Sequence, residues 1–150
     1  MTDLARSLET RKQDTLRHLT DTVDAWVSTA SADGTPYLMP LSFLWEDGAI
    51  LLSTALNNPT SLNLQANPEV HLAIGGTRDV VLVVGTCEVL KPEDLTVETG
   101  DAFAEKSGFD PRALKSPYLY FRVTPTRIQA WREVNELQER TLMQDGNWLI

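Results

Sequence analysis

The sequence predicts a mainly β fold in which antiparallel strands close into a barrel, and three observations predict it. Apolar, β-rich runs recur six to eight times with mostly local connections, and two or three helices fall between them. Three Asp-Gly pairs (Asp33-Gly34, Asp47-Gly48 and Asp145-Gly146) stand between such runs, where tight hairpins need positive φ. The run from Pro36 to Trp45 is apolar at odd and even positions alike, whereas an antiparallel strand with one wet face alternates. Antiparallel strands in this number generally close on themselves, which removes unpaired edges.

Taken in order, Thr2 or Asp3 is placed to cap a first helix with Leu4, Leu8, Leu16 and Leu19 on one stripe. Its other positions are charged, so it should lie on a surface with His18 in solvent. A strand from Ala25 leads through Asp33-Gly34 into the second strand. There Tyr37, Met39, Leu41, Phe43 and Trp45 share one face, and Leu38, Pro40, Ser42 and Leu44 share the other. Burying both faces calls for a core on one side and a ligand or partner chain on the other.

A third strand runs from Ala49 to Thr54. Asn58 then stands at an N-cap with Pro59 in the first helical position, where its missing N–H is not needed. That helix, carrying Leu62, Leu64 and Ala66, stops at Asn67-Pro68. Val70 to Gly75 alternates as a strand, Gly75 to Asp79 turns, and Val80 to Leu90 is a long β-branched strand. Pro92-Glu93-Asp94 opens a helix reaching about Lys106, with acids in its first turn as the helix dipole favours. Gly108 to Pro117 reads as loop. Tyr118 to Val123 and Arg127 to Arg132 read as strands on either side of a break at Thr124-Pro125. Thr141 to Met143 and Asn147 to Ile150 form a closing hairpin.

The 150 residues fit a single domain, 1–150, with no repeat, linker or low-complexity tract. The 42% apolar and 23% charged content is that of an ordinary globule rather than a disordered chain. Twenty-one acids against thirteen bases give a net charge of −8, which argues against nucleic-acid and anionic-membrane partners. Cys87 is alone, so no disulfide framework or thiolate metal cage is expected, and His18 and His71 do not make a metal site. With no apolar run of 18 residues and no apolar leader, the expected location is the cytoplasm. No side chain stands out as a general acid, base or nucleophile.

Several short pieces recur in a telling order. Asp33-Gly34-x-Pro36 precedes the second strand, and Leu52-Ser53-Thr54 lies in the third. Asn63-Leu64-x-x-Asn67-Pro68 closes the short helix, Val83-Val84-Gly85-x-x-Glu88 lies in the long strand, and Arg127-Ile128-x-x-Trp131 ends the series. In this order the chain, from about Asp24 to Ile150, resembles the flavin-binding split-barrel superfamily, that of pyridoxamine 5'-phosphate oxidase and the deazaflavin-dependent reductases. The resemblance implies a six-stranded antiparallel split β-barrel of Greek-key topology with two to three peripheral helices. It also implies a homodimer with two flavin sites between the subunits, which would account for a second strand with no wet face.

By the same resemblance, the cofactor is FMN, with coenzyme F-420 or no cofactor as alternatives. The backbone of Met39, Pro40 and Leu41 would run along the isoalloxazine. Ser53 and Thr54 would meet the phosphate or ribityl chain, or else cap the loop that follows them. Asn58, Thr60 and Ser61 would offer a helix N-terminus to the phosphate. Trp131 would wall the ring, and Arg140 would reach the ligand from the C-terminal segment. Against these stand the bland readings of Trp131 as barrel packing and of Arg140 as a solvated strand residue.

Seven positions depart from the family. Met39 and Leu44 stand where the oxidases carry an Arg and a Lys, and Asn58-Pro59-Thr60 stands in place of a Ser-Arg-Lys phosphate clamp. Thr60 and Leu62 occupy the reductases' basic positions, and Val80 replaces a flavin-contacting Gln. Charge-assisted bonds to phosphate are the strong ones, so true pyridoxamine 5'-phosphate oxidase activity is not expected. The expectation is an FMN-dependent oxidoreductase acting on a small molecule; an F-420-dependent reductase and a non-catalytic binding protein are the alternatives.

Overall fold

The computed structural model describes residues 4–150. At its centre is a closed barrel of six antiparallel strands: β1 (Asp24–Ala30), β2 (Pro36–Glu46), β3 (Ala49–Ala55), β4 (Glu69–Ile74), β5 (Val80–Leu90) and β6 (Tyr118–Trp131). Hydrogen bonding runs β3-β2-β1-β4-β5-β6, and β3 pairs with β6 to shut the ring. The first three strands form a meander. β4 then returns through helix α2 (Pro59–Ala66) to lie beside β1, which is the Greek-key arrangement. β7 (Thr141–Gln144) and β8 (Asn147–Trp148) extend the sheet past β6, while α1 (Leu8–Asp21) and α3 (Val97–Ser107) complete the helices.

The Asp-Gly pairs do not all act alike. Asp47 and Gly48 (φ 52° and 76°), and Asp145 and Gly146 (φ 52° and 80°), both take the left-handed conformation that a two-residue type I′ turn requires. In the first hairpin only Gly34 has positive φ, 85°, contrary to expectation. Asp33 serves through its side chain instead: it accepts from the Ser31 hydroxyl, and from the Thr35 N–H and hydroxyl at 3.1 and 2.8 Å. These donors, Ser31 foremost, hold its carboxyl down at about 2.

The break expected at Thr124-Pro125 is a bulge inside one continuous strand, β6. Val84 pairs with Arg127 and Gly85 with Pro125, leaving Thr126 unmatched. The bulge presses the two strands together. A Cβ on Gly85 would come within 2.7 Å of the Thr124 carbonyl oxygen, so only glycine allows this approach.

Alternate residues of the strands fill the barrel. Val27, Phe43, Ile50, Leu52, Val83, Phe121, Val123 and Ile128 are fully buried there, joined by Leu19 of α1 and Leu64 of α2. A second, smaller core lies outside the barrel wall. There α3 covers Leu51, Leu90 and Tyr120 with Phe103, and Leu44, Leu95 and Phe109 close the edges. Phe103 meets Tyr120 and Phe109 edge-on, with centroids 5.5 and 5.8 Å apart. The Tyr120 hydroxyl is buried there without a hydrogen-bond partner among the described residues.

Two helices differ from expectation. Thr2 and Asp3 lie outside the described residues; α1 is capped by Ser7, whose hydroxyl accepts from the Thr10 N–H at 3.1 Å, and Leu4 is 95% exposed rather than on the stripe. The buried face of α1 includes Arg11, Asp14 and Thr15 beside Leu19, because polar partners await them on the barrel. His18 is half-buried rather than in open solvent: its Nε2 lies 2.9 Å from Asp79 Oδ2. The helix expected from Pro92 splits into a 3₁₀ turn (Pro92–Asp94) and α3, since Leu95 is extended and Thr96 starts a new cap by accepting from the Thr99 N–H at 3.2 Å. A second 3₁₀ turn, Pro111–Ala113, lies within the expected loop.

Candidate functional site

β2 is covered unevenly. β3 pairs with it only from Phe43 to Glu46 and then leaves to pair with β6, so the barrel wall is split beside Pro36 to Ser42. The phase of the strand decides which main-chain groups face the split. Phe43 N–H donates to Val23 O at 2.9 Å, so the two-residue alternation turns the peptide groups of Leu41 and Met39 toward β1. The open edge carries the N–H groups of Leu38 and Ser42 and the carbonyls of Leu38 and Pro40. Proline fits this position because its missing N–H falls on the unpaired side. Of the expected Met39-to-Leu41 backbone contact, only the Pro40 carbonyl lies on this edge. Leu38 and Ser42 supply its donors, and sequence reading missed them because residue types do not reveal strand phase.

The outer face of the same half-strand is open as well. Cross-strand partners build two rows over five strands, Pro40–Trp26–Ala73–Leu82–Gln129 and Leu38–Ser28–His71–Val84–Arg127. Trp26 is 51% exposed and Leu38 57%. On the inner side Met39 is 38% exposed, whereas Leu41 packs against the core. The expectation that β2 has two dry faces therefore holds only for its second half within one chain, where α3 covers Leu44.

Helix α2 lies next to the split. Ser53 donates to Leu119 O at 2.9 Å, and Thr54 accepts from Asn58 Nδ2 at 2.9 Å. Ser61 donates to Leu56 O at 2.8 Å and accepts from Gln65 Nε2 at 3.0 Å. The Thr54 and Ser61 hydroxyls thus brace the turn between β3 and α2, whereas Ser53 ties β3 to β6. Asn58 is the N-cap, yet its side chain makes no cap bond. The first intrahelical donor is Leu62 N–H to Asn58 O at 2.9 Å, so the N–H groups of Thr60 and Ser61 have no partner among the described residues, although both residues are buried (2% and 0% exposed). The helix dipole favours an anionic group near this end of α2, and the open β2 edge fits the alternating donors and acceptors of a flavin ring.

Trp131 and Arg140 come together elsewhere. Trp131 ends β6 opposite Val80, and the Arg140 guanidinium carbon lies 5.8 Å from the Trp131 ring centroid. Leu119, the cross-strand partner of Thr54, sits at the other end of β6 from Trp131. Those ends are on the order of 35–40 Å apart along the strand. A single chain therefore assembles two partial groups, α2 with the β2 edge and Trp131 with Arg140.

Other candidates resolve simply. Cys87 is buried, and desolvation pushes its thiol up to about 12, so it is a small apolar filler. Arg78 and Asp79 do not pair with each other: Arg78 meets Glu133 at 3.4 Å, and Asp79 meets His18 and Arg132. No group of His, Cys, Asp and Glu among the described residues could hold a metal ion, and no helix is long and apolar enough to cross a membrane.

Comparison with known proteins decides the family. The family model described as pyridoxamine 5'-phosphate oxidase matches residues 16–132, most of the chain. The chain belongs to the pyridoxamine 5'-phosphate oxidase family. Solved structures agree on the fold of this oxidase-family chain. An F420 reductase is 20% identical at a TM-score of 0.62, covering 75% of this chain and 93% of that one. An FAD-binding protein from Mesorhizobium loti is 21% identical at 0.62, covering 79% and 91%. HupZ from Group A Streptococcus is 18% identical at 0.61, covering 81% and 94%. No curated protein matches the sequence significantly. The family's members are mostly flavin or deazaflavin oxidoreductases.

Proposed function

We propose that this chain is a flavin-dependent oxidoreductase that works as a homodimer and binds FMN between the two copies. The observation that carries the reading is the open half of β2, with an unpaired main-chain edge next to the unpartnered amides of α2. The ring would lie along Leu38 to Ser42, and its phosphate near the N-terminal end of α2 at Asn58. A second copy packed on the Trp26–Leu38 face would bring its own Trp131 and Arg140 toward this cleft, since Trp131 borders the same outer face beside Val80. Bound there, the flavin supplies hydride transfer, and the chain supplies placement and exclusion of water. No residue of the chain needs to act as a catalytic acid or base.

Two other readings rest on particular residues. Arg127 is exposed and has no ion pair among the described residues, which suits the anionic tail of F-420. The absence of any cation from Asn58 to Leu62 suits a binding protein without turnover. Titrating the ligand-free protein with FMN and with F-420, while following cofactor fluorescence, separates all three. Saturable FMN quenching is expected; saturation by F-420 alone supports the reductase, and response to neither leaves the binding protein.

A further inference from the structure

The segment between Trp131 and Arg140 is held from behind by the start of the chain. Arg11 is 3% exposed, and its Nη1 donates to the carbonyls of Ala130 (3.5 Å), Glu136 (3.3 Å) and Glu139 (3.1 Å). Its Nε is buried without a partner among the described residues. Arg6 grips Glu136 from both its main chain and its side chain: the N–H and Nε donate to Oε2 at 2.9 and 3.0 Å, and Nη2 donates to Oε1 at 2.7 Å. The same carboxylate accepts the Arg132 N–H at 2.8 Å. Arg6 Nη1 donates to Asp14 at 3.1 Å, and Arg132 reaches Asp14 and Asp79 at 3.6 and 3.4 Å.

Two features of this arrangement are unfavourable in themselves. Glu139 has φ 59°, a left-handed conformation that a residue with a Cβ adopts at a cost. Among the described residues the Arg11 Nε is a buried donor left unpaired, which also opposes folding. Both sit against the residue before Arg140, whose carbonyl accepts from Ala130 N–H at 2.9 Å and whose guanidinium covers Trp131. A segment that only had to join β6 to β7 would need neither.

We propose that Arg11, with the Arg6–Glu136 pair, is a positioning clamp through which the N-terminal helix fixes the Trp131–Arg140 platform for its ligand. The proposal rests on the reading that this platform faces the cofactor, but the clamp itself can be tested without one. In the clamp, Arg11 carbonyl contacts hold Glu139 in its strained conformation and so fix where Arg140 leaves the loop. Relaxing that strain should loosen the platform even as it relieves the fold.

The test uses Arg11→Met and Glu139→Gly in the full chain. Hydrogen exchange of the ligand-free protein is the first readout: in Arg11→Met, amides from Leu137 to Thr141 should exchange at least tenfold faster, with the β1 and β4 amides unchanged. Unchanged exchange in that segment overturns the clamp whether or not any flavin binds. FMN affinity is the second readout: both variants should bind roughly threefold to thirtyfold more weakly. Glu139→Gly should do so while melting at the same or a higher temperature, because glycine accepts positive φ. Weaker binding without loss of stability is what a merely structural role would not produce. Faster exchange with unchanged FMN affinity in both variants overturns the positioning role. If wild-type protein takes up no FMN, the functional reading fails, and the exchange result still decides the clamp.

Discussion

The two halves of β2 differ in what covers them, although apolar residues dominate both. From Phe43 to Glu46 the strand has β3 on one edge, the barrel core beneath and α3 above. From Pro36 to Ser42 it has β1 on one edge only, and Leu38 and Met39 are left exposed. Hydrophobic residues in the first case are the protein's own core. In the second they form an open apolar face with an unpaired edge, which is what an interaction surface looks like. The difference teaches that apolar content tells where burial is needed but not which molecule supplies it.

The contrast can be broken most forcefully at the covered half. Phe103 is fully buried under α3, and Phe103→Ala should destabilise the fold by about 3–5 kcal/mol, read from urea denaturation. A loss below about 1 kcal/mol would mean that α3 is not the cover. At the open half, Trp26→Asp should leave the monomer's far-UV spectrum intact but weaken self-association by about 2–4 kcal/mol, in the range of central interface residues. Sedimentation across a concentration series measures that shift, and an unfolded variant would assign Trp26 to the monomer core instead.

Acid sharpens the comparison at the end of β6. Glu136 is held down at about 2, chiefly by the Arg6 guanidinium and then by the Arg6 and Arg132 amides. A depressed carboxyl stabilises the fold above its unfolded value of 4.5, and that stabilisation is lost as pH falls through the folded value. Stability should therefore decline between about pH 4.5 and pH 2, and Glu136→Gln should flatten the decline. An identical profile for the variant would remove Glu136 as its source. The smallest effect belongs to Tyr120, whose unpaired hydroxyl opposes burial. Tyr120→Phe should be neutral or stabilising by up to about 1 kcal/mol, and a clear loss of stability would reveal a partner for that hydroxyl.

The barrel itself was legible because its signals are local. Type I′ turns at Asp47-Gly48 and Asp145-Gly146, the Asn58-Pro59 start of α2 and the β-branched β5 all depend on neighbouring residues. Thr124-Pro125 misled because a proline that breaks an isolated strand can sit at a bulge when Gly85 lets the partner strand come close. The α3 start was misplaced because two capping sequences, Lys91-to-Asp94 and Thr96-to-Thr99, follow one another. The candidate site had fewer local signals. The Asn58-Pro59 helix start is one, while Thr60, Trp131 and Arg140 were singled out by resemblance to the family. The open edge at Leu38 and Ser42 follows from strand phase, and the Arg11 and Arg6–Glu136 contacts join residues more than a hundred positions apart.

The central claim is that the open half of β2 and the rows through Trp26 and Leu38 are covered by a second copy of this chain. Sedimentation equilibrium of the wild-type protein at micromolar concentration tests it directly. A mass twice that of the chain, falling to the single-chain mass in Trp26→Asp, is the predicted result. A wild-type monomer at that concentration would contradict it.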